Sequence, residues 1–219
     1  VEHKKVKFKD LIRGDVEFDM ALLGDIVIAK NLETPLYHFV VVIDDYEMKV
    51  SHVIRGEEHL SNTPRQILLQ EVLGFNSLTY AHLPLMLNSD KSKMSKRAGD
   101  VALADYHQKG YLPEAIVNFV MMLGWNPGTE KEIFSLPELI KEFSLEKVQK
   151  AGAVFNVAKL DSINSFYIRE KSVEKLTELC RPFLAGLDLE QFTKHQLEQI
   201  IALHQPRLKK LSDISLMTD

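Results

Sequence analysis

The sequence predicts an α/β part followed by an all-α part, and two observations carry that prediction. Through the first hundred residues, short β-branched runs alternate with a well-capped helical segment. Beyond about residue 100 the apolar residues recur only at helical spacing. A length of 219 residues leaves room for one to two domains. No internal repeat or low-complexity stretch interrupts the chain.

Taken in order, Ile26–Ala29 follows Gly24-Asp25 and reads as a short strand. Tyr37–Ile43 (YHFVVVI) follows Pro35, is β-branched at four positions and is too short for a helix; it is expected to be a strand buried on both faces. Val50–Ile54 is a further strand, ending at Arg55-Gly56. A helix then starts with Thr63 as N-cap, Pro64 at N1 and Gln66 at N3, a capping box. Its apolar face is Ile67, Leu68 and Val72, and Gly74 stands where a C′ glycine belongs. Strands separated by such a helix imply a parallel sheet.

The later segments are helical. Pro113 opens a helix with Ile116, Phe119, Val120 and Leu123 on one face, closed by Gly124. Trp125–Gly128 is a turn in which the indole serves packing. Ser135 with Glu138, around Pro137, and Thr193 with Gln196 form two more capping boxes. Between them, residues 172–184 are amphipathic through Val173, Leu176, Leu179 and Phe183. The expected division is residues 1–100, 101–170 and 171–219.

Hydrophobic residues make up 45% and charged residues 26%, the balance of an ordinary globular chain. The longest apolar runs, Phe39–Ile43 and Ile116–Leu123 around Asn118, fall far below the roughly 18 residues of a membrane span, so no membrane partner is expected. Cys180 is the single cysteine. It excludes an internal disulfide, suits a reducing, cytoplasmic setting, and on its amphipathic helix reads as a small buried apolar residue. The eight histidines show neither H-x-x-H nor H-x₃-H spacing, and no metal site is expected. No apolar segment follows the charged start, so no secretory signal is expected. A start at Val1 and a polar end at Asp219 suggest a piece of a longer protein. Net charge is −4, with 13 Lys/Arg against 15 Asp/Glu in residues 1–100 and 14 against 16 thereafter. Bulk charge therefore does not favour nucleic acid, and any such role must come from a local cluster.

One cluster exists. Lys91, Lys93, Lys96 and Arg97 lie within seven residues, interleaved with Ser92 and Ser95 and delivered by the apolar run Leu83–Leu87. Lysines three apart can converge on a polyphosphate while hydroxyls and backbone N–H groups bind its oxygens. The bland alternative is a solvated basic loop.

The string at 92–97, SKMSKR, resembles the KMSKS signature of class I aminoacyl-tRNA synthetases. Val53–Gln66 (VIRGEEHLSNTPRQ) is similar to the "VIRGEDH…NTPRQ" block of bacterial glutamyl-tRNA synthetases, and Pro35 through Asp45 to their "PTYNFAVVVDDH" segment. Tyr111–Ala115 through Trp125 resembles "YLPEALVNYLALLGW", and residues 152–168 resemble "AVFDLEKLDWMNGKYI". The likeness is collinear from about residue 15 to 170 and weaker beyond.

The resemblance implies a fold: the second half of a Rossmann-like class I synthetase catalytic domain, a helical stem-contact region, and the start of a helical anticodon-binding domain. It also implies a reaction, in which the α-carboxylate of glutamate attacks the α-phosphate of ATP and the glutamyl group passes to the 3′ adenosine of tRNA(Glu). ATP enters as substrate with Mg2+, and the parent enzyme is expected to be monomeric. Lys93 and Lys96 would hold the pyrophosphate as charge builds on it, Met94 would lie against adenine, and Ser95 and Arg97 would complete the ATP loop. Glu58 and His59 would border the adenosine. Arg55, at the carboxyl end of a strand, would hold the side-chain carboxylate of glutamate bidentately, with Tyr37 adding a hydroxyl donor.

Local alternatives stand beside these roles. Arg55 pairing with Glu57 or Asp44 is one, and Tyr37 as a core residue is another. Asp44-Asp45 reads as turn and cap structure rather than a metal dyad. The family's second signature, H-x-G-H, does not occur in the sequence. The chain alone is therefore expected to form no adenylate, and an open sheet edge is expected to leave it marginally stable. Other readings are the shortened paralogue that glutamylates a modified tRNA base, a glutaminyl-tRNA synthetase, and a non-catalytic tRNA-binding module.

Overall fold

The computed structural model describes residues 4–94, 102–184 and 188–217. The chain divides into two compact units, Val1–Leu85 with Ser144–Ala153, and Met86–Phe143 with Val154–Asp219.

The first unit is built on a four-stranded sheet. Strands β1 (Lys5–Asp10) and β2 (Gly14–Asp19) form an antiparallel hairpin in register from Lys5↔Asp19 to Asp10↔Gly14. Gly14 takes φ +84° at its turn, a conformation open chiefly to glycine. Alternation along β1 puts Val6 into the core while Lys5 and Lys7 pair with Glu17 outside. A short helix α1 (Met20–Leu23) follows, capped by the Asp19 side chain, then a ribbon of β3 (Ala29–Asn31) and β4 (Thr34–Pro35). Helix α2 (Tyr37–Glu47), strand β5 (His52–Gly56), helix α3 (Thr63–Leu73) and strand β6 (Thr79–Leu83) complete it. The sheet order is β2-β1-β6-β5, with β6 parallel to both its neighbours, so the expected parallel pairing is found in β5-α3-β6; β6 itself, like the β1–β2 hairpin, is not among the strands read from the sequence. Val6, Met20, Ile67 and Tyr80 form the core beneath it.

Four element assignments differ from expectation. Tyr37–Ile43 is the start of a helix, not a strand, and Val42 is the residue of α2 that is fully buried. A short apolar run does not distinguish strand from helix by periodicity. Here both neighbours of β6 are already strands, and the run continues without a break into the polar turn Asp44–Glu47. Asp44 and Asp45 lie in that last turn, and their carbonyls accept from Met48 and Val50. Of Ile26–Ala29, only Ala29 enters a strand. The Val50–Ile54 strand begins at His52 and reaches Gly56. Finally, Thr63 is the first residue of α3 and Asn62 stands before it; no side-chain capping bond forms there, and Gly74 closes the helix in the left-handed region at φ 71°. The buried face of α3 is Thr63, Pro64, Gln66, Ile67 and Gln70, while Val72 is 84% exposed.

The second unit opens with the short strand β7 (Met86–Leu87) and continues with α4 (Leu103–Gln108), α5 (Pro113–Gly124), α6 (Leu136–Glu142), α7 (Val157–Arg169), α8 (Val173–Cys180) and α9 (Lys194–His204). One core joins Phe119, Leu160, Ile163 and Ile168 to Leu176, Cys180, Ile201 and Ile214. The expected boxes form at Ser135/Glu138 and Thr193/Gln196. Helix α8 ends at Cys180 because Pro182 cannot continue the ladder. On α5, Ala115, Asn118 and Phe119 are buried, Ile116 and Leu123 pack at the margin, and Val120 is half exposed, so the buried face is rotated from the one expected. Trp125 is buried, edge-on to Phe134, in the packing role expected of it. Gly110 combines φ +84° with close approach: a Cβ there would lie 2.7 Å from the Ser212 nitrogen. No helix among the described residues is long and apolar enough to cross a membrane.

Candidate active site

In the first unit, Arg55 is the last residue but one of β5, at the end where ligands of parallel strands bind. Its Nε donates to His82 Nε2 at 3.3 Å, and its Nη2 donates to Thr63 Oγ1 at 2.8 Å and Gln66 Oε1 at 2.7 Å. The guanidinium carbon lies 5.9 Å from the Tyr80 ring centroid. All these partners are uncharged or, for His82, held uncharged, and no carboxylate among the described residues pairs with Arg55. Glu57 is taken instead by Arg13 at 2.5 Å. The alternative of an Arg55 pair with Glu57 or Asp44 does not form. A cation held by neutral partners is a ready anion site.

Behind Arg55 lies a buried relay. Asp10 accepts from His82 Nδ1 at 2.6 Å, from the His82 backbone at 3.2 Å, and from the N–H groups of Ile12 and Arg13 at 2.9 and 2.8 Å. Burial opposes the Asp10 charge, but these donors together hold its carboxyl below the usual range. Burial lowers His82 first; Asp10 opposes that shift, and the positive charges of Arg55 and Arg13 reinforce it. The ring is neutral and the carboxylate charged. Gln70 Nε2 similarly donates to the Tyr80 hydroxyl at 3.1 Å.

The remaining expected residues of this unit lie on α2 and on the turn that follows β5. Tyr37, at the first turn of α2, is 49% exposed and 6.1 Å from the His59 ring, so it is not a core residue. His59 closes the short turn Glu57–His59 and meets Asn62 at 3.1 Å, and Glu58 is exposed beside it. His38, next to Tyr37, is lowered by burial and then by Arg65 and Arg55.

In the second unit, β7 leads into a tight hairpin. Asn88 N donates to Ser92 O at 2.8 Å and Met94 N to Met86 O at 3.0 Å, while Asp90 accepts from the Ser92 backbone and hydroxyl at 2.8 and 2.6 Å. Lys91 takes φ 65° at the turn. Lys93 leaves this hairpin exposed, with no ion pair among the described residues, and Met94 is half-buried. Ser95, Lys96 and Arg97 lie outside the described residues.

Sequence reasoning missed Asp10 and His82 altogether and took Thr63 and Gln66 as capping residues. A polar residue inside an otherwise apolar strand, His82 in Thr79–Leu83, was the available signal.

Comparison with known proteins bears on the family and the fold. Residues 1–162 match the family described as tRNA synthetases class I (E and Q), catalytic domain. A glutamate–tRNA ligase of Desulforamulus reducens is 45% identical across the whole chain, which covers 46% of that relative. One from Carboxydothermus hydrogenoformans is 51% identical over 82% of the chain and 38% of its own length. The crystal structure of a glutamate tRNA ligase from Elizabethkingia meningosepticum, in complex with its amino acid, superimposes with a TM-score of 0.88 at 38% identity, over 99% of this chain and 46% of that one. The chain thus spans about half the length of the curated relatives it matches. With a βαβ sheet ending in an anion-ready arginine and a family match across three quarters of its length, the chain belongs to the class I tRNA synthetases of the E and Q group and carries part of their catalytic domain.

Proposed function

We propose that the chain is the carboxyl-side part of a glutamate–tRNA ligase. The parent enzyme joins glutamate to ATP, with Mg2+ accompanying the nucleotide, releases pyrophosphate, and transfers the glutamyl group to the 3′ adenosine of tRNA(Glu) in the cytoplasm, as a monomer. Residues 1–100 hold the nucleotide-binding part of the catalytic domain, 101–170 contact the tRNA stem, most of them still within the catalytic-domain match at 1–162, and 171–219 begin the anticodon-binding region. The observation that carries the reading is the Arg55 guanidinium, immobilised by uncharged side chains and in no direct ion pair among the described residues, with Asp45 acting on it only at longer range.

The chemistry follows from charge. Attacking carboxylate and phosphates are all anionic, so the protein's work is positioning and charge stabilisation. Arg55 holds the side-chain carboxylate of glutamate, and Tyr37, half exposed and 6.1 Å from the His59 ring, supplies a hydroxyl to it. Glu58 and His59 border the adenosine. Lys93 and Lys96 take up charge on the departing pyrophosphate, with Met94 against adenine and Ser95 and Arg97 completing the loop. A hairpin braced by Asp90 and Asn88 supports this role for Lys93, because it fixes where the loop begins.

The test is glutamate-dependent ATP–pyrophosphate exchange, with tRNA present, by the full-length gene product. Lys96→Ala is expected to lower kcat by about a hundredfold or more, and unchanged turnover removes Lys96 from this role. The 219-residue chain alone, which holds no H-x-G-H, is expected to be silent in the same assay. Exchange by the isolated chain would contradict the division of labour.

A further inference from the structure

His82, Asp10 and Thr63 are almost fully buried, at 0%, 1% and 0% exposure, yet all three are polar. Two of them meet across 72 residues of sequence. The hydrogen-bond arithmetic at this place fixes the tautomer of His82. An arginine only donates, so His82 Nε2, 3.3 Å from Arg55 Nε, must accept. The single proton of a neutral ring then sits on Nδ1, where it is given to Asp10 at 2.6 Å. Thr63 Oγ1 accepts from Arg55 Nη2 and so turns its own hydrogen toward His82 Nε2 at 3.0 Å or the His59 carbonyl at 3.3 Å. Both hydrogens of Nη2 are spent on Thr63 and Gln66. Nη1 is the guanidinium nitrogen left without an acceptor among the described residues.

We propose that His82, held in one tautomer by Asp10, is the positioning residue for Arg55: it anchors the Nε edge of the guanidinium so that Nη1 is the edge turned to an incoming carboxylate. The groups facing the ring are all consistent with this. Tyr80 stacks on it at 6.3 Å, Phe8 lies at 6.5 Å, and Arg13 binds the His82 carbonyl at 3.2 Å without touching the ring nitrogens. Protonation of Nε2 would set an N–H against the Arg55 N–H and release that edge. The bidentate grip expected from the sequence then requires Thr63 or Gln66 to yield a hydrogen; otherwise the carboxylate is held through Nη1 alone. The proposal rests on the reading of Arg55 as the carboxylate site.

The two nitrogens can be tested separately, because a Gln amide mimics Nε2 and an Asn amide mimics Nδ1. In the full-length protein, His82→Asn keeps a donor for Asp10 but removes the acceptor for Arg55. Its KM for glutamate is expected to rise about tenfold, the loss of one hydrogen bond to a charged group, with KM for ATP unchanged. His82→Gln restores an acceptor and is expected to stay within about threefold. In an Arg55→Ala background, His82→Asn is expected to add nothing. Equal effects of the two His82 variants, or additivity with Arg55→Ala, overturn the proposal. Unchanged glutamate KM in Arg55→Ala overturns instead the site reading beneath it. A readout independent of variant folding is the ¹⁵N spectrum of the histidines at pH 7.5: the Nδ1–H tautomer is expected for His82, and the Nε2–H tautomer refutes the anchor.

Discussion

Replacing Asn164 by alanine should unfold the second unit at lower denaturant, and the size of the effect can be worked from its contacts. Asn164 is fully buried on α7. Its Oδ1 accepts from the Leu112 N–H at 2.8 Å, and its Nδ2 donates to the Lys209 carbonyl at 2.6 Å. One side chain thereby ties the entry to α5, 52 residues before it, to a segment 45 residues after it. Leu112 is 2% exposed, so its orphaned N–H finds no water and costs about 2 kcal/mol. Lys209 is exposed, and its carbonyl recovers most of its bond from solvent. The small cavity adds about 1 kcal/mol, giving about 3 kcal/mol in all. With a urea slope of about 2 kcal/mol per molar, the midpoint should fall by about 1.5 M. Trp125, the single tryptophan and buried in the same unit, reports the transition by fluorescence. Lys175→Ala, which breaks an exposed ion pair with Glu178, is the control and should leave the midpoint unchanged. A loss below about 1 kcal/mol for Asn164→Ala would refute the reasoning, since it would mean that the Leu112 N–H is not left unsatisfied.

Two further outcomes concern ionisation. His82 has its pKa lowered from the ordinary 6.5, so the folded chain stays neutral there while the unfolded chain takes up a proton. Stability of the first unit is therefore intact above pH 6.5 and falls below it by up to about 1.4 kcal/mol per pH unit. Asp10, also lowered, adds a second loss as pH drops through 3.8 toward its folded value. Hydrogen exchange of Thr79–Leu83 between pH 7.5 and 5.5 measures this, and an identical pH slope in His82→Gln would show that another group is responsible. Burial pushes the Cys180 thiol up to about 12. It should resist a disulfide reagent at pH 8 until the chain is denatured; prompt reaction of the native protein would mean that α8 opens readily.

How much of this was legible in the sequence depended on the range of the signal. The boxes at Ser135 and Thr193 were readable because donor and acceptor lie within one turn, and nothing distant changes their bonding. The α/β-to-helical order, the helix α3 and the position of Arg55 near a strand end were also readable from local pattern, whereas β1, β2 and β6 were not identified, since what makes them strands is their pairing with distant segments. The apolar run Tyr37–Ile43 was not, because its composition suits a strand while its neighbours in space leave it the place of a helix.

The environment of Arg55 belonged to tertiary structure alone. Thr63 and Gln66 carry the local signature of a cap, yet their side chains turn inward to a guanidinium from another element. Asp10 and His82 stand 72 positions apart and acquire meaning when β1 and β6 become neighbours. Chain-local pattern sets which residues are helical or extended. The pairing of a buried charge with its donors is decided only when folding removes water, since in solvent each of those groups would be satisfied separately.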